Sequence, residues 1–355
     1  MPRARDLGVV IGVQPPGPTN SVLDVAGVGL GHATVHRDEP APPEGRGTAR
    51  TGVTTLLVAE DAFRRPVPAG GAVLNGAGEC TGFLTATEWG AAETPVYLTS
   101  TMQLGRVYDA ACEIALEQHP SVAEDVVIPV VGECDDSFLN DCRRMQVTGA
   151  DVRASWQAAL DSRGATSPPE EGAVGAGTGM SCFDFKGGIG TASRRVGDHT
   201  VAVLLLTNFG SREDCVVDGV PIGRLLGPSR SGPHAAAGSC IGVVVTDAPV
   251  DGAGCARLAR RIGLGLGRTG SVAHHGSGEI FLGLATGMRL DREGRHDRTD
   301  LVTGRALDPL FSATVEAAEE AVLNSMFGAP TTVGRDGNTS ESLHSPAVLA
   351  LLERR

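Results

Sequence analysis

Two uninterrupted apolar runs limit what this chain can become. Residues 200–206 (TVAVLLL) and 240–246 (CIGVVVT) carry no charge and are rich in β-branched side chains. A strand with one wet face alternates apolar and polar residues. These runs do not alternate, so both read as central strands covered on either side. A third apolar run, 126–131, ends at Gly132 and Glu133. Helical periodicity is present at 155–160, 255–266 and 313–326. In the last of these Val315, Ala318, Val322 and Met326 share one face, with Glu316, Glu319 and Glu320 off it. Strands and helices do not alternate regularly, which predicts a layered α/β sandwich rather than a barrel or a doubly wound sheet. A chain of 355 residues can hold two or three domains, but one large domain also fits.

Composition removes several functions. The formal net charge is −12 and aromatics are 4%, so neither phosphate attraction nor base stacking favours nucleic acid as a partner. No stretch of 18 apolar residues exists, so no membrane span is expected. Residues 1–14 lack a long apolar region with a small-residue cleavage site, so no secretory leader is read there. The eight cysteines form no C-x-x-C and no finger-type spacing with histidine. They are expected to be reduced and mostly buried in a cytoplasmic protein without a metal site. The glycine clusters at 27–31 and 172–179 match no phosphate-binding loop, so no nucleotide cofactor is expected and they read as tight turns and close backbone packing. The His274-His275 pair lacks the helical spacing of a metal site and reads as a surface or supporting feature.

Breaker-rich loops are expected at 37–50, 161–172 and 227–238. The third stops at Gly238, and Ser239 opens an apolar strand. A cut between them would leave Ser239 as an N-terminal serine at a strand tip. A serine hydroxyl needs a base within reach. A free α-amine, with a pKa near ~7.7–8, would supply one on the same residue. Before the cut, the same hydroxyl could attack the Gly238 carbonyl and pass the chain through an ester. Gly-Ser before a strand is also a common turn, and residues alone leave both readings open.

An ordered set of blocks separates them. These are 20–34 (NSVLDVAGVGLGHAT), 50–54 (RTGVT), 73–82 (VLNGAGECTG), 129–133 (PVVGE), 138–141 (FLND), 175–193 (GAGTGMSCFDFKGGIGTAS), 208–212 (NFGSR), 218–221 (DGVP), 238–249 (GSCIGVVVTDAP), 268–271 (RTGS) and 276–281 (GSGEIF). Together they resemble the L-aminopeptidase/D-esterase and β-peptidyl aminopeptidase family of self-processing N-terminal-nucleophile-like hydrolases, almost end to end.

The resemblance implies a single four-layer αββα sandwich over 1–355, cut into 1–238 and 239–355, which stay associated. It implies Ser239 as nucleophile of both the self-cleavage at Gly238-Ser239 and the enzymatic reaction. Ser277 and Glu279 would orient the nucleophile and handle protons, Asn208 would donate to the oxyanion, and Glu133 would bind the substrate's free amine. The implied activity removes N-terminal residues from short peptides, amides or esters, β- and D-residues included, without a cofactor or metal. The implied assembly is a homo-oligomer, a tetramer of processed heterodimers. One departure concerns the residues after Glu133. Some family members place an aromatic there, with a tyrosine hydroxyl assisting the oxyanion. This chain has Cys134 and Asp135, its two tyrosines being Tyr97 and Tyr108. The alternatives are an acyltransferase of the ornithine-acetyltransferase type, whose nucleophile is threonine rather than serine, and a non-catalytic binding protein with the same fold.

Overall fold

The two apolar runs lie side by side at the centre of one sheet. His199–Asn208 and Ser239–Thr246 are antiparallel neighbours. This computed structural model describes residues 2–228 and 238–354, so most of the linker expected at 227–238 falls outside the described residues. The sheet has six strands in the order Gly188–Val196, His199–Asn208, Ser239–Thr246, Gly278–Ala285, Val67–Gly76 and Ala91–Ala92. A second sheet of five strands runs Gly29–Arg37, Ala49–Leu57, Val96–Ser100, Val130–Cys134 and Cys80–Thr81. Each sheet contains one parallel pair. A parallel pair needs a crossover, and helices supply both. Gly252–Arg268 joins the strands at 239–246 and 278–285, and Leu104–Gln118 joins those at 96–100 and 130–134.

The sheets face each other across a dry core. Leu56, Leu98 and Val130 of one meet Leu204, Leu206, Ile241, Val243 and Ile280 of the other. On the outer face of the five-stranded sheet Val53, Tyr97 and Val131 pack with Val107, Ala110 and Val152 of helices Leu104–Gln118 and Gly149–Asp161. Outside the six-stranded sheet, Val203, Leu205 and Val244 pack with Leu258, Ile262, Ala317 and Ala321 of helices Gly252–Arg268 and Asp308–Phe327. The layers therefore read αββα. A second covering on both sheets explains why the central strands do not alternate. Glycine serves the layering by close approach. A Cβ at Gly31 would fall inside the backbone of Ser155 and Ala159, and one at Gly190 inside that of Ala321, so the helices rest directly on the strands.

Two sequence expectations need correction, and one helix face holds a feature the sequence did not show. The run expected as a strand from 126 is paired only from Val130 and extends to Cys134, because Pro129 has no N–H to offer a ladder. The helix read at 155–160 spans Gly149–Asp161, opened by a reciprocal Thr148 and Asp151 cap. The glutamates of Asp308–Phe327 do not face water. Glu316 and Glu320 are buried and bind the fully buried Arg194, at 3.1 and 2.7 Å, and Arg5 reaches Glu320 at 2.8 Å. Backbone N–H groups of Val13 and Gln14 also donate to Glu316, so the N-terminal segment covers that side of the helix. The cysteines behave as expected: all eight are free and six are buried.

Candidate active site

Strand register alone assembles most of the predicted site. Asn208 is the last residue of its strand, and Ser239 is the first of the next. Asn208 pairs with Ser239, which pairs in turn with Gly278, the first residue of its own strand. Three strand ends thus lie abreast, flanked by Ser277 and Glu279. Ser239 is buried at 4% exposure, yet its Oγ has no hydrogen-bond partner among the described residues and lies beside the Cys134 thiol. A buried hydroxyl without a partner is costly, so its position calls for a chemical reason.

The Ser277 hydroxyl donates to Glu279 Oε1, while Glu279 Oε2 is buried and unpaired among the described residues. Burial pushes the Glu279 carboxyl above its ordinary value, and the Ser277 hydrogen bond opposes this. The turn before Ser277 is held by Asn75, which sequence reasoning did not assign. Its Nδ2 donates to the carbonyls of His274 at 3.0 Å, His275 at 3.1 Å and Ser277. Only the fold could reveal this, because Asn75 sits about 200 residues away on the strand that pairs with Glu279. Asn208 is fixed from both ends: Oδ1 accepts from Ser181 N at 2.9 Å, and Nδ2 donates to the Asp135 carbonyl at 2.8 Å. An amide nitrogen has two protons, so one N–H remains to be placed.

Glu133 lies on the facing sheet, buried at 4% exposure. It accepts from Glu79 N at 2.8 Å and from the Thr101 hydroxyl. Burial raises its carboxyl, against the pull of those donors. A Cβ built on Gly78 would stand 3.2 Å from Glu133 Oε1 and 3.8 Å from the Gly278 backbone, so the two sheets meet closely here. A cleft of about 200 Å³ opens beside the strand ends. Its walls include Asn208, Gly238, Ser277, Asp135, His274 and Arg335; Ser239 and Glu279 lie within two residues of these in the chain but not on the wall, and Glu133 is not on it either. His274, read from sequence as a surface or supporting residue, is half-buried there, with Nε2 3.4 Å from Ser211 Oγ and 3.6 Å from Asp214.

Under the site sits the chain's single lysine, Lys186, wholly buried. Its Nζ donates to the carbonyls of Gly177, Met180 and Gly187 at 2.9, 2.6 and 2.8 Å, and burial draws its pKa down to about 7. Among the described residues, Asp135, Asp136 and Cys142 form the one grouping close enough to take a metal ion. Burial pushes Asp136 up to about 7 and the Cys142 thiol up to about 12, so a metal ion would have to displace protons to bind there.

With this geometry in place, likeness to known proteins becomes informative. The model of peptidase family S58 matches residues 20–340. The chain belongs to that family. It is 36% identical to the β-peptidyl aminopeptidase BapA of Sphingosinicella microcystinivorans, over 99% of this chain and 92% of that one. Its fold superposes on the L-aminopeptidase D-Ala-esterase/amidase of Ochrobactrum anthropi, described as a variant of the Ntn hydrolase fold, with a TM-score of 0.89 at 34% identity over 100% and 99% of the two chains. A β-aminopeptidase of a Burkholderia species gives a TM-score of 0.87 at 36% identity over 99% of each chain. The S58 member described here is thus a hydrolase acting on peptides, with the function of an aminopeptidase and the αββα layering of the Ntn hydrolases. No helix among the described residues is long and apolar enough to cross a membrane.

Proposed function

We propose that Ser239 cuts the 238–239 bond and then serves as the N-terminal nucleophile of a serine aminopeptidase. The observation that carries this reading is the register placing Asn208, Ser239 and Gly278 abreast beside the cleft. In maturation the Ser239 hydroxyl attacks the Gly238 carbonyl. An ester replaces the amide and the Ser239 nitrogen departs as an amine. Water then cleaves the ester, leaving a Gly238 carboxylate and a free Ser239. In turnover that amine takes the hydroxyl proton, and Ser239 Oγ forms an ester with the substrate's acyl group. The peptide nitrogen leaves protonated, and water releases the acid. The Ser277–Glu279 pair steadies the ammonium that forms, through the unpaired Oε2. The second Asn208 N–H meets the developing oxyanion.

Glu133 is the proposed acceptor of the substrate's free amine. A carboxylate has about four acceptor sites, so an ammonium can join the Glu79 and Thr101 donors. The substrates are short peptides, amides or esters with a free amine. The names of the relatives extend this to β- and D-residues, and Gly238 supports the first of these. A Cβ there would lie 2.7 Å from the Asn208 carbonyl and 3.0 Å from Phe209 Cα, so this place passes an unsubstituted α-carbon, which many β-residues present. The mature form is proposed as a tetramer of processed heterodimers. Purified wild-type protein should give two bands on a denaturing gel, with masses matching 1–238 and 239–355, while Ser239→Ala stays whole and inactive. A wild-type chain that remains intact yet hydrolyses peptides would rule out this mechanism.

A further inference from the structure

The cleft carries charges that the reaction above leaves unused. Asp135 and Asp184 lie on its wall, and so does Arg335. Asp135 turns back on its own loop, accepting from Ser137 N and Ser137 Oγ, both at 2.9 Å. Asp184 accepts from Arg212 N at 3.2 Å. Arg335 pairs with neither. Its Nε donates to the Ser137 carbonyl at 2.6 Å, and its single ion pair among the described residues is with Asp336, 3.8 Å from Nη1. Asp336 is 70% exposed, so solvent screens that pair and the Nη1–Nη2 end of the guanidinium remains open to a ligand.

The turn bearing Arg335 is firmly placed. Arg335 N donates to the Leu139 carbonyl at 2.8 Å, and Asn338 Nδ2 to that of Phe138 at 2.8 Å. With the bond to Ser137, three successive carbonyls are held by one turn. The same segment is held at its other end by Asn208, through the Asp135 carbonyl at 2.8 Å. Asn208 and Arg335 are therefore anchored two residues apart, a span of at most about 7–8 Å. One or two residues of a peptide beyond its scissile carbonyl cover a similar reach, at ~3.5 Å each.

We propose that Arg335 receives the C-terminal carboxylate of the substrate, so that the enzyme reads both ends of a very short peptide. The preferred substrate is then the zwitterionic dipeptide or tripeptide over the same peptide with a blocked C-terminus. This rests on the aminopeptidase reading above. A guanidinium suits the task because it meets a carboxylate with two parallel N–H donors, whereas a carboxamide offers it one weaker acceptor.

The test uses matured wild type, Arg335→Gln and Arg335→Lys on pairs of dipeptides that differ only in a free or amidated C-terminus. Wild type should favour the free acid by about tenfold or more in kcat/KM, the factor expected for one charged hydrogen-bonded contact. Arg335→Gln should bring that ratio near one, and Arg335→Lys, which keeps the charge without the fork, should fall between. If Arg335 only staples its turn to residues 137–139, both substrates lose equally and the ratio does not move, which overturns the proposal. A wild-type ratio near one overturns it as well, whatever the variants do. Wild type cleaving neither member of any pair would instead sink the aminopeptidase reading, and this site with it.

Discussion

Gly238 and Asn75 show how tightly single residues constrain the chemistry. At Gly238 a side chain would press on the Asn208 carbonyl, on Phe209 Cα and, at 3.3 Å, on Ser277 Oγ. Two of these are backbone and cannot swing away. Gly238→Ala should therefore slow self-cleavage by about tenfold or more while the chain still folds, since a barrier increase of ~1.4 kcal/mol suffices. Following the intact band over time after purification checks this, and an unchanged rate would refute it. Asn75 acts through Ser277 rather than on substrate, as a positioning residue. Asn75→Ala frees the 274–277 turn, and kcat should fall about ten- to a hundredfold with KM little changed, as expected for ~1–3 kcal/mol of lost hydrogen bonding felt only in the transition state. A loss confined to KM would place Asn75 in substrate binding instead.

At the level of elements, ladder register and buried charge do different work. Parallel pairing of Ser239 with Gly278 sets the site, and helix Gly252–Arg268 makes that pairing possible. Its start is fixed by Asp251, whose side chain accepts from Gly254 N at 2.7 Å. Helix Asp308–Phe327 is secured differently, through Arg194 on the strand Gly188–Val196. Arg194 is fully buried and meets two glutamates, so removing it leaves Glu316 without a cation and Glu320 with Arg5 alone. Arg194→Ala should cost about 3–5 kcal/mol, the usual penalty for leaving a buried charge without its partner. Denaturant unfolding of the full-length Ser239→Ala chain, with and without this change, measures it free of complications from the cut. A loss below about 1 kcal/mol would mean that water reaches these carboxylates after all.

For the whole molecule, the 238–239 cut would not separate two domains. The six-stranded sheet interleaves strands from both sides of it: 67–76, 91–92, 188–196 and 199–208 before, 239–246 and 278–285 after. Each piece alone would leave strand edges and apolar faces open, so the pieces should co-purify and unfold together. The proposed assembly into a homo-oligomer would have a surface to use. Val73, Leu74 and Leu264 are more than half exposed and gather with Phe83 around one shallow pocket. Three such side chains in one place suit a contact between copies. Leu74→Asp with Leu264→Asp should shift the mature protein toward smaller species by light scattering coupled to size exclusion. A mass that stays at that of the wild type would move the interface elsewhere.

The sequence by itself determined the layering and, through its resemblance to the family, put forward the nucleophile that the proposal uses. Runs such as 200–206 and 240–246 cannot sit at a wet surface, and the ordered set of family-like blocks raises the 238–239 bond above an ordinary turn. The same resemblance put forward Asn208, Ser277 and Glu279, because ordered blocks of the sequence carry them. Asn75, Arg335 and the buried Arg194–glutamate contacts were invisible at that stage. Each acts across a long separation in the chain, and a one-dimensional pattern treats a charge as a sign of water. Only the packing of one sheet against another, and of a terminal turn against residues 137–139, decides which polar groups meet and which are left free to react.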